Sequence, residues 1–216
     1  RHKLAGWNQK VFFLTLNLLM FSNSEVNSFQ AGTSHSIAES GFRLFQKANR
    51  DSLKVGDEAP PFALRNLVTD EATFLRNYTG KTLRDRKAQR QTVVISFWAT
   101  WCQPCKVEIP LLMKMAEEFR DQPVKIFLIN TREQAGVSED SVRAAFRSRG
   151  YTLPCLIDPT GRAADNYMVR GLPMIVVIDK FGIVRKVNRG YHENFHIDIA
   201  NLLKTLVQED STSRKR

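Results

Sequence analysis

Only three cysteines occur in the 216 residues, at 102, 105 and 155. Three are too few for a scaffold stapled by disulfides, so the fold has to stand on an apolar core. A composition of 43% hydrophobic residues is enough to supply one. Histidine is scarce as well, at positions 2, 35, 192 and 196, and there is no second Cys-x-x-Cys, so Cys102 and Cys105 have no obvious partners for a four-ligand zinc site. Lys106 occupies the place a c-type haem attachment motif gives to His. The apolar run Val11–Phe21 is eleven residues long, short of the ~18–20 needed to cross a bilayer. Acidic residues are the minority charge, 22 against 32 Lys and Arg, for a net charge of +10. That excess is spread over the first ten residues, Lys81–Arg90 and Ser211–Arg216. No aromatic platform or basic helical stripe accompanies it, which argues against a nucleic-acid footprint; such scattering suits a solvated surface, or attraction to an anionic membrane or acidic partners.

What the chain does have is Trp98-Ala99-Thr100-Trp101-Cys102-Gln103-Pro104-Cys105-Lys106-Val107-Glu108. The run before it, Thr92–Phe97, is apolar and rich in β-branched residues, the pattern of a buried strand. The run after it, Leu111–Phe119, reads as a helix. The two cysteines therefore fall at a strand-to-helix turn. Free N–H groups and the positive dipole end of the helix favour a thiolate there, and a thiolate is the species that attacks disulfides. Residues three apart on a helix share a face, so Cys105 can reach back to Cys102. Pro104 stiffens the first turn, where its missing N–H is not needed, and Pro110 should kink the helix further on.

Residues 98–105 closely resemble the active site of thioredoxin-fold proteins. With Lys106-Val107-Glu108-Ile109-Pro110 added, the stretch is similar to the TlpA-like (ResA-type) thiol-disulfide oxidoreductases of bacterial envelopes. Two further landmarks agree. Val55–Leu64 resembles the leading segment shared by TlpA-like proteins and peroxiredoxins, and Gly171-Leu172-Pro173 resembles the loop that holds a cis-proline beside the disulfide. The resemblance spans about residues 55–208. It implies an α/β thioredoxin-like fold: a mixed sheet with helices on both faces, an N-terminal hairpin and an inserted helix-strand-helix. A peroxidase is disfavoured, since Ala99 and Ile95 stand where a peroxiredoxin pattern needs Thr or Ser, and Pro.

The resemblance also assigns roles. Cys102 is the attacking thiolate, Cys105 resolves the mixed disulfide, and Glu108 handles the proton of Cys105. Trp101 shields the site, while Leu172 and Pro173 shape a substrate groove in which exposed backbone pairs with an extended segment. Ser96 takes the place of the buried Asp of thioredoxins, and Met174 the place where Thr is usual. Gln103-Pro104 lacks the His of the strong oxidases of this fold, which favours a reductase. No cofactor or metal is expected. Expected partners are protein disulfides, for example those of apocytochromes c, and a membrane thiol-electron donor. A binding or chaperone module with an idle motif is the alternative.

The remaining stretches give a domain plan. Arg1, His2, Lys3 and Lys10 flank the Val11–Phe21 run, and Ser22-Asn23-Ser24 supplies a small-x-small cleavage site. Residues 1–31 are read as a signal peptide or membrane anchor plus linker, and 32–54 as a helical linker segment. Residues 55–209 form the thioredoxin-like domain, and 210–216 a basic tail. The protein is expected outside the cytoplasm, secreted or membrane-anchored. Cys155 reads as a small buried hydrophobe. His192-Glu193-Asn194-Phe195-His196 matches the His-Glu-x-x-His zinc string, but it lies at the start of a short C-terminal helix, predicted over Asn194–Gln208 with Phe195, Ile199, Leu202, Leu203 and Leu206 on its apolar side.

Overall fold

A computed structural model describes residues 52–213. The signal or anchor segment and nearly all of the helical linker lie outside the described residues. Thr92–Trp98 forms the central strand, β3, and every one of its seven residues is buried. Burial on both sides accounts for its lack of apolar–polar alternation: only Thr92 and Ser96 are polar, and both are buried. Its side chains alternate: Val94 and Trp98 join one core cluster, and Val93, Ile95 and Phe97 join the other.

Around β3 the sheet has seven strands in the order β2-β1-β5-β4-β3-β6-β7. β4 (Val124–Thr131) and β5 (Cys155–Asp158) run parallel to β3. β6 (Met174–Ile178) pairs antiparallel with the other side of β3, and β7 (Val184–Arg189) closes that edge as a hairpin. The N-terminal hairpin of β1 (Ala63–Asn66) and β2 (Ala72–Phe74) forms the opposite edge, joined antiparallel to β5 through Arg65↔Ile157 and Asn66↔Leu156. The mixed sheet is thus as the sequence implies, and the inserted strand β5 is the seat on which the hairpin docks.

Helices cover both faces. The cluster containing Val94 and Trp98 is closed by α1 (Gln103–Glu118), α2 (Glu139–Ser148) and α4 (Phe195–Ser213), through residues such as Ile109, Leu112, Phe146 and Leu203. The opposite cluster is covered by the short α3 (Arg162–Asn166) and the segment following it, with Ala164, Tyr167 and Val169. α1 runs without a break past Pro110, which removes one N–H from its ladder. α4 extends five residues beyond the expected end at Gln208. Leu202 is only half-buried, because the stripe at 195, 199, 203 and 206 turns it to the flank of the apolar face.

Leu112 is wholly buried on α1. Leu112→Ala should lower unfolding free energy by about 2–4 kcal/mol, read from urea denaturation, while the cysteine pair still cycles between oxidised and reduced forms.

Candidate redox site

The turn from β3 into α1 takes only four residues, Ala99 to Cys102. Cys102 is the N-cap of α1, with extended backbone (φ −74°, ψ 103°), and its sulfur accepts a hydrogen bond from the Cys105 N–H at 3.3 Å. Pro104 sits in the first turn. Cys102 and Cys105 are joined as a disulfide, with sulfurs 2.00 Å and Cα atoms 5.4 Å apart. Both are buried in this oxidised form. Any thiolate formed at Cys102 on reduction would meet free helix N–H groups and the positive end of the α1 dipole.

Glu108 lies one helical turn beyond Cys105 and is wholly buried. Its Oε1 accepts a 2.7 Å hydrogen bond from Ser96 Oγ. Among the described residues, Oε2 is buried with no hydrogen-bond partner. Strand parity explains the meeting: Ser96 shares its face of β3 with Val94 and Trp98, the face that α1 covers. Burial pushes the Glu108 carboxyl up from its ordinary 4.5 to about 7, against the opposing pull of the Ser96 hydrogen bond.

The proline landmark is also in place. The Leu172–Pro173 bond is cis, and Pro173 is buried with its carbonyl accepting from Gly190 N–H at 2.9 Å. Phe97 pairs with Met174 across the β3–β6 ladder, so Pro173 flanks the strand end from which the cysteine loop departs. Leu172 is half-buried and packs against both core clusters. Trp101 is 43% exposed, and its indole N–H donates to the Arg132 carbonyl at 2.8 Å.

Several side chains that hold this loop escaped the sequence reading. Glu133, just past β4, accepts from the Thr100 N–H (2.7 Å), the Thr100 hydroxyl (2.6 Å) and the Asn130 amide (2.6 Å). Arg149, the C-cap of α2, donates to the Thr100 carbonyl at 3.5 Å. Arg132 has a left-handed backbone, φ 53°. Isolated charges in loops carry no periodic signal, so only the folded chain reveals them. Ser96 was singled out in the sequence, as the residue in the place of the buried Asp of thioredoxins, but its bond to Glu108 was not.

Cys155 stays apart from this chemistry. It is a free, wholly buried thiol in β5, and burial pushes it up to about 12. His192 hydrogen-bonds to the Asn188 side chain, and His196 packs its ring edgewise on Phe195. Among the described residues, no three His, Cys, Asp or Glu side chains converge as a metal-binding set.

Residues 55–187 match the model of the AhpC/TSA family. The chain belongs to that family. Within it, the chain is a thiol-disulfide oxidoreductase of the ResA type with a thioredoxin-like fold. It is 30% identical over 158 residues to thiol-disulfide oxidoreductase ResA of Bacillus subtilis strain 168, covering 73% of this chain and 80% of ResA. It is also 30% identical over 156 residues to thioredoxin-like protein YneN of the same strain, covering 71% and 84%. Among solved structures, the pneumococcal exposed lipoprotein thioredoxin Etrx1 of Streptococcus pneumoniae strain TIGR4 superposes with a TM-score of 0.56 at 28% identity, covering 68% of this chain and all of that one.

The raised carboxyl has a thermodynamic signature. The unfolded chain ionises Glu108 near 4.5, whereas the folded chain keeps the proton up to about 7. The folded state therefore loses stability as pH rises through that window, by about 3 kcal/mol in total. In urea unfolding at pH 5 and pH 8, Glu108→Gln should flatten that decline relative to the parent. Ser96→Ala, which removes the hydrogen bond favouring the carboxylate, should shift the titration of Glu108 to higher pH by NMR.

Proposed function

We propose that the chain is an extracytoplasmic reductase of protein disulfides, acting through Cys102 and Cys105 with Glu108 as proton acceptor. In the proposed cycle a membrane thiol donor first opens the Cys102–Cys105 disulfide. Cys102 thiolate then attacks a client disulfide, forming a mixed disulfide and releasing one client thiolate. Cys105 gives its proton to Glu108 and attacks the Cys102 sulfur, releasing the second client thiolate and restoring the internal disulfide. Two electrons pass from the pair to the client. The two client thiolates take up protons, one of them returnable from Glu108.

The observation that carries this reading is the Glu108 carboxyl. It is wholly buried one turn beyond the resolving cysteine, has one partnerless oxygen, and is raised to about 7. A carboxyl tuned near neutrality can both take and return a proton at working pH, as a general base must. Trp101 and the Leu172–Pro173 loop are the proposed walls of the client groove. The absence of His between the cysteines favours reduction over oxidation. Location outside the cytoplasm is supported by the basic flank and apolar run at Val11–Phe21, and by the words "exposed lipoprotein" in the name of Etrx1. Apocytochromes c are the client class the ResA resemblance favours.

Pre-reduced full-length protein should reduce insulin disulfides, and Cys102→Ser should abolish the reaction. Cys105→Ser should accumulate a mixed disulfide visible on a non-reducing gel. A Cys102–Cys105 reduction potential well above that of the client disulfides would reverse the assigned direction. Retention of the chain in the cytosol with residues 1–24 intact would remove the assigned location.

A further inference from the structure

The post-β4 loop ties together two parts of the site that the sequence keeps far apart. The Arg132 carbonyl accepts the Trp101 indole N–H at 2.8 Å, on the cysteine side. The Arg132 guanidinium reaches the other way, and its Nη2 donates to Asp165 Oδ1 at 2.7 Å and to the Val169 carbonyl at 3.3 Å. Val169 is buried and stands three residues ahead of Leu172 and its cis bond to Pro173. One residue therefore touches the aromatic wall through its backbone and the root of the proline loop through its side chain.

Its backbone conformation supports a dedicated role. Arg132 sits at φ 53°, where glycine would be unstrained and a side chain is disfavoured. Such strain persists where the surroundings over-determine it. Here they do so through the neighbouring Glu133, which holds Thr100 by two hydrogen bonds, and Asn130, which holds Glu133. The backbone contact to Trp101 alone would be kept by a glycine. The contacts to Asp165 and Val169 need the guanidinium.

We infer that Arg132 is a positioning residue that sets the spacing between Trp101 and the Val169–Pro173 loop, and so selects extended peptide disulfides over small ones. The inference rests on the reductase reading above. A small disulfide needs only the sulfur of Cys102. A peptide must also lie along the backbone beside Pro173, and it loses affinity when that loop drifts from the Trp101 wall. The contribution should be moderate, because the Arg132–Asp165 pair is exposed to solvent.

The test uses single turnovers of the pre-reduced full-length chain with excess disulfide, either a disulfide-linked peptide or hydroxyethyl disulfide. Arg132→Gly keeps the carbonyl and relieves the backbone strain, so it removes the side chain's contacts without penalising the fold. It should raise the half-saturating peptide concentration about two- to fivefold, leaving the limiting rate and the reaction with hydroxyethyl disulfide unchanged. Asp165→Asn should move the peptide value in the same direction by less. An unchanged peptide value in Arg132→Gly overturns the inference. So does an equal slowing with both disulfides, which would mark a general structural defect. A parent chain that reduces neither disulfide would instead overturn the reductase reading itself.

Discussion

A strand buried on both faces cannot simply run out into solvent, and the way β3 ends governs the rest of the site. Its seven residues carry no exposed edge, and within four more the chain is already helical. That short turn puts Cys102 at the N-cap, where its sulfur answers a free backbone donor. It also lays α1 across the Val94–Ser96–Trp98 face. Glu108 is then forced into a fully buried position with Ser96 as a hydrogen-bond partner. The proton chemistry assigned to the site thus follows from where a strand stops and which face a helix covers.

Much of the architecture could be read from residue pattern. The largely apolar runs at 92–97, 124–130 and 175–178 mark three of the inner strands, since strands covered on both sides show little polar alternation. The Cys-x-x-Cys marked the strand-to-helix turn, and the resemblance of Gly171-Leu172-Pro173 to a cis-proline loop pointed to the cis bond that is found. Other features left no local trace. β1 and β5 are four residues each and share two register pairs, too little pattern to announce their pairing. Ser96 and Glu108 were each singled out, but joining them needed the parity of β3 and the phase of α1 together. Glu133 and Arg149 are single charges at element ends, and a sequence gives such residues no direction. The end of α4 was misplaced because Glu209-Asp210-Ser211 has no apolar stripe to announce a continuing helix.

The inserted segment between β4 and β6 has a structural purpose beyond extending the sheet. Glu133 at its start and Arg149 at the end of α2 hold opposite sides of the Thr100 peptide, one by N–H and hydroxyl, the other by carbonyl. Its middle supplies β5, onto which the N-terminal hairpin docks. Insert, hairpin and cysteine loop are therefore braced against one another, although long stretches of chain separate them.

Cys155 has a consequence for the fidelity of exchange. With its thiol pushed up to about 12 by burial, Cys155 carries almost no sulfur anion at neutral pH. Wholly enclosed in β5, that sulfur offers a trapped client no third destination. In the proposed cycle, a covalent complex on Cys102 would have Cys105 as its one internal route of discharge, so a chain with three cysteine sulfurs would behave as though it had two, with burial of Cys155 closing off dead-end linkages.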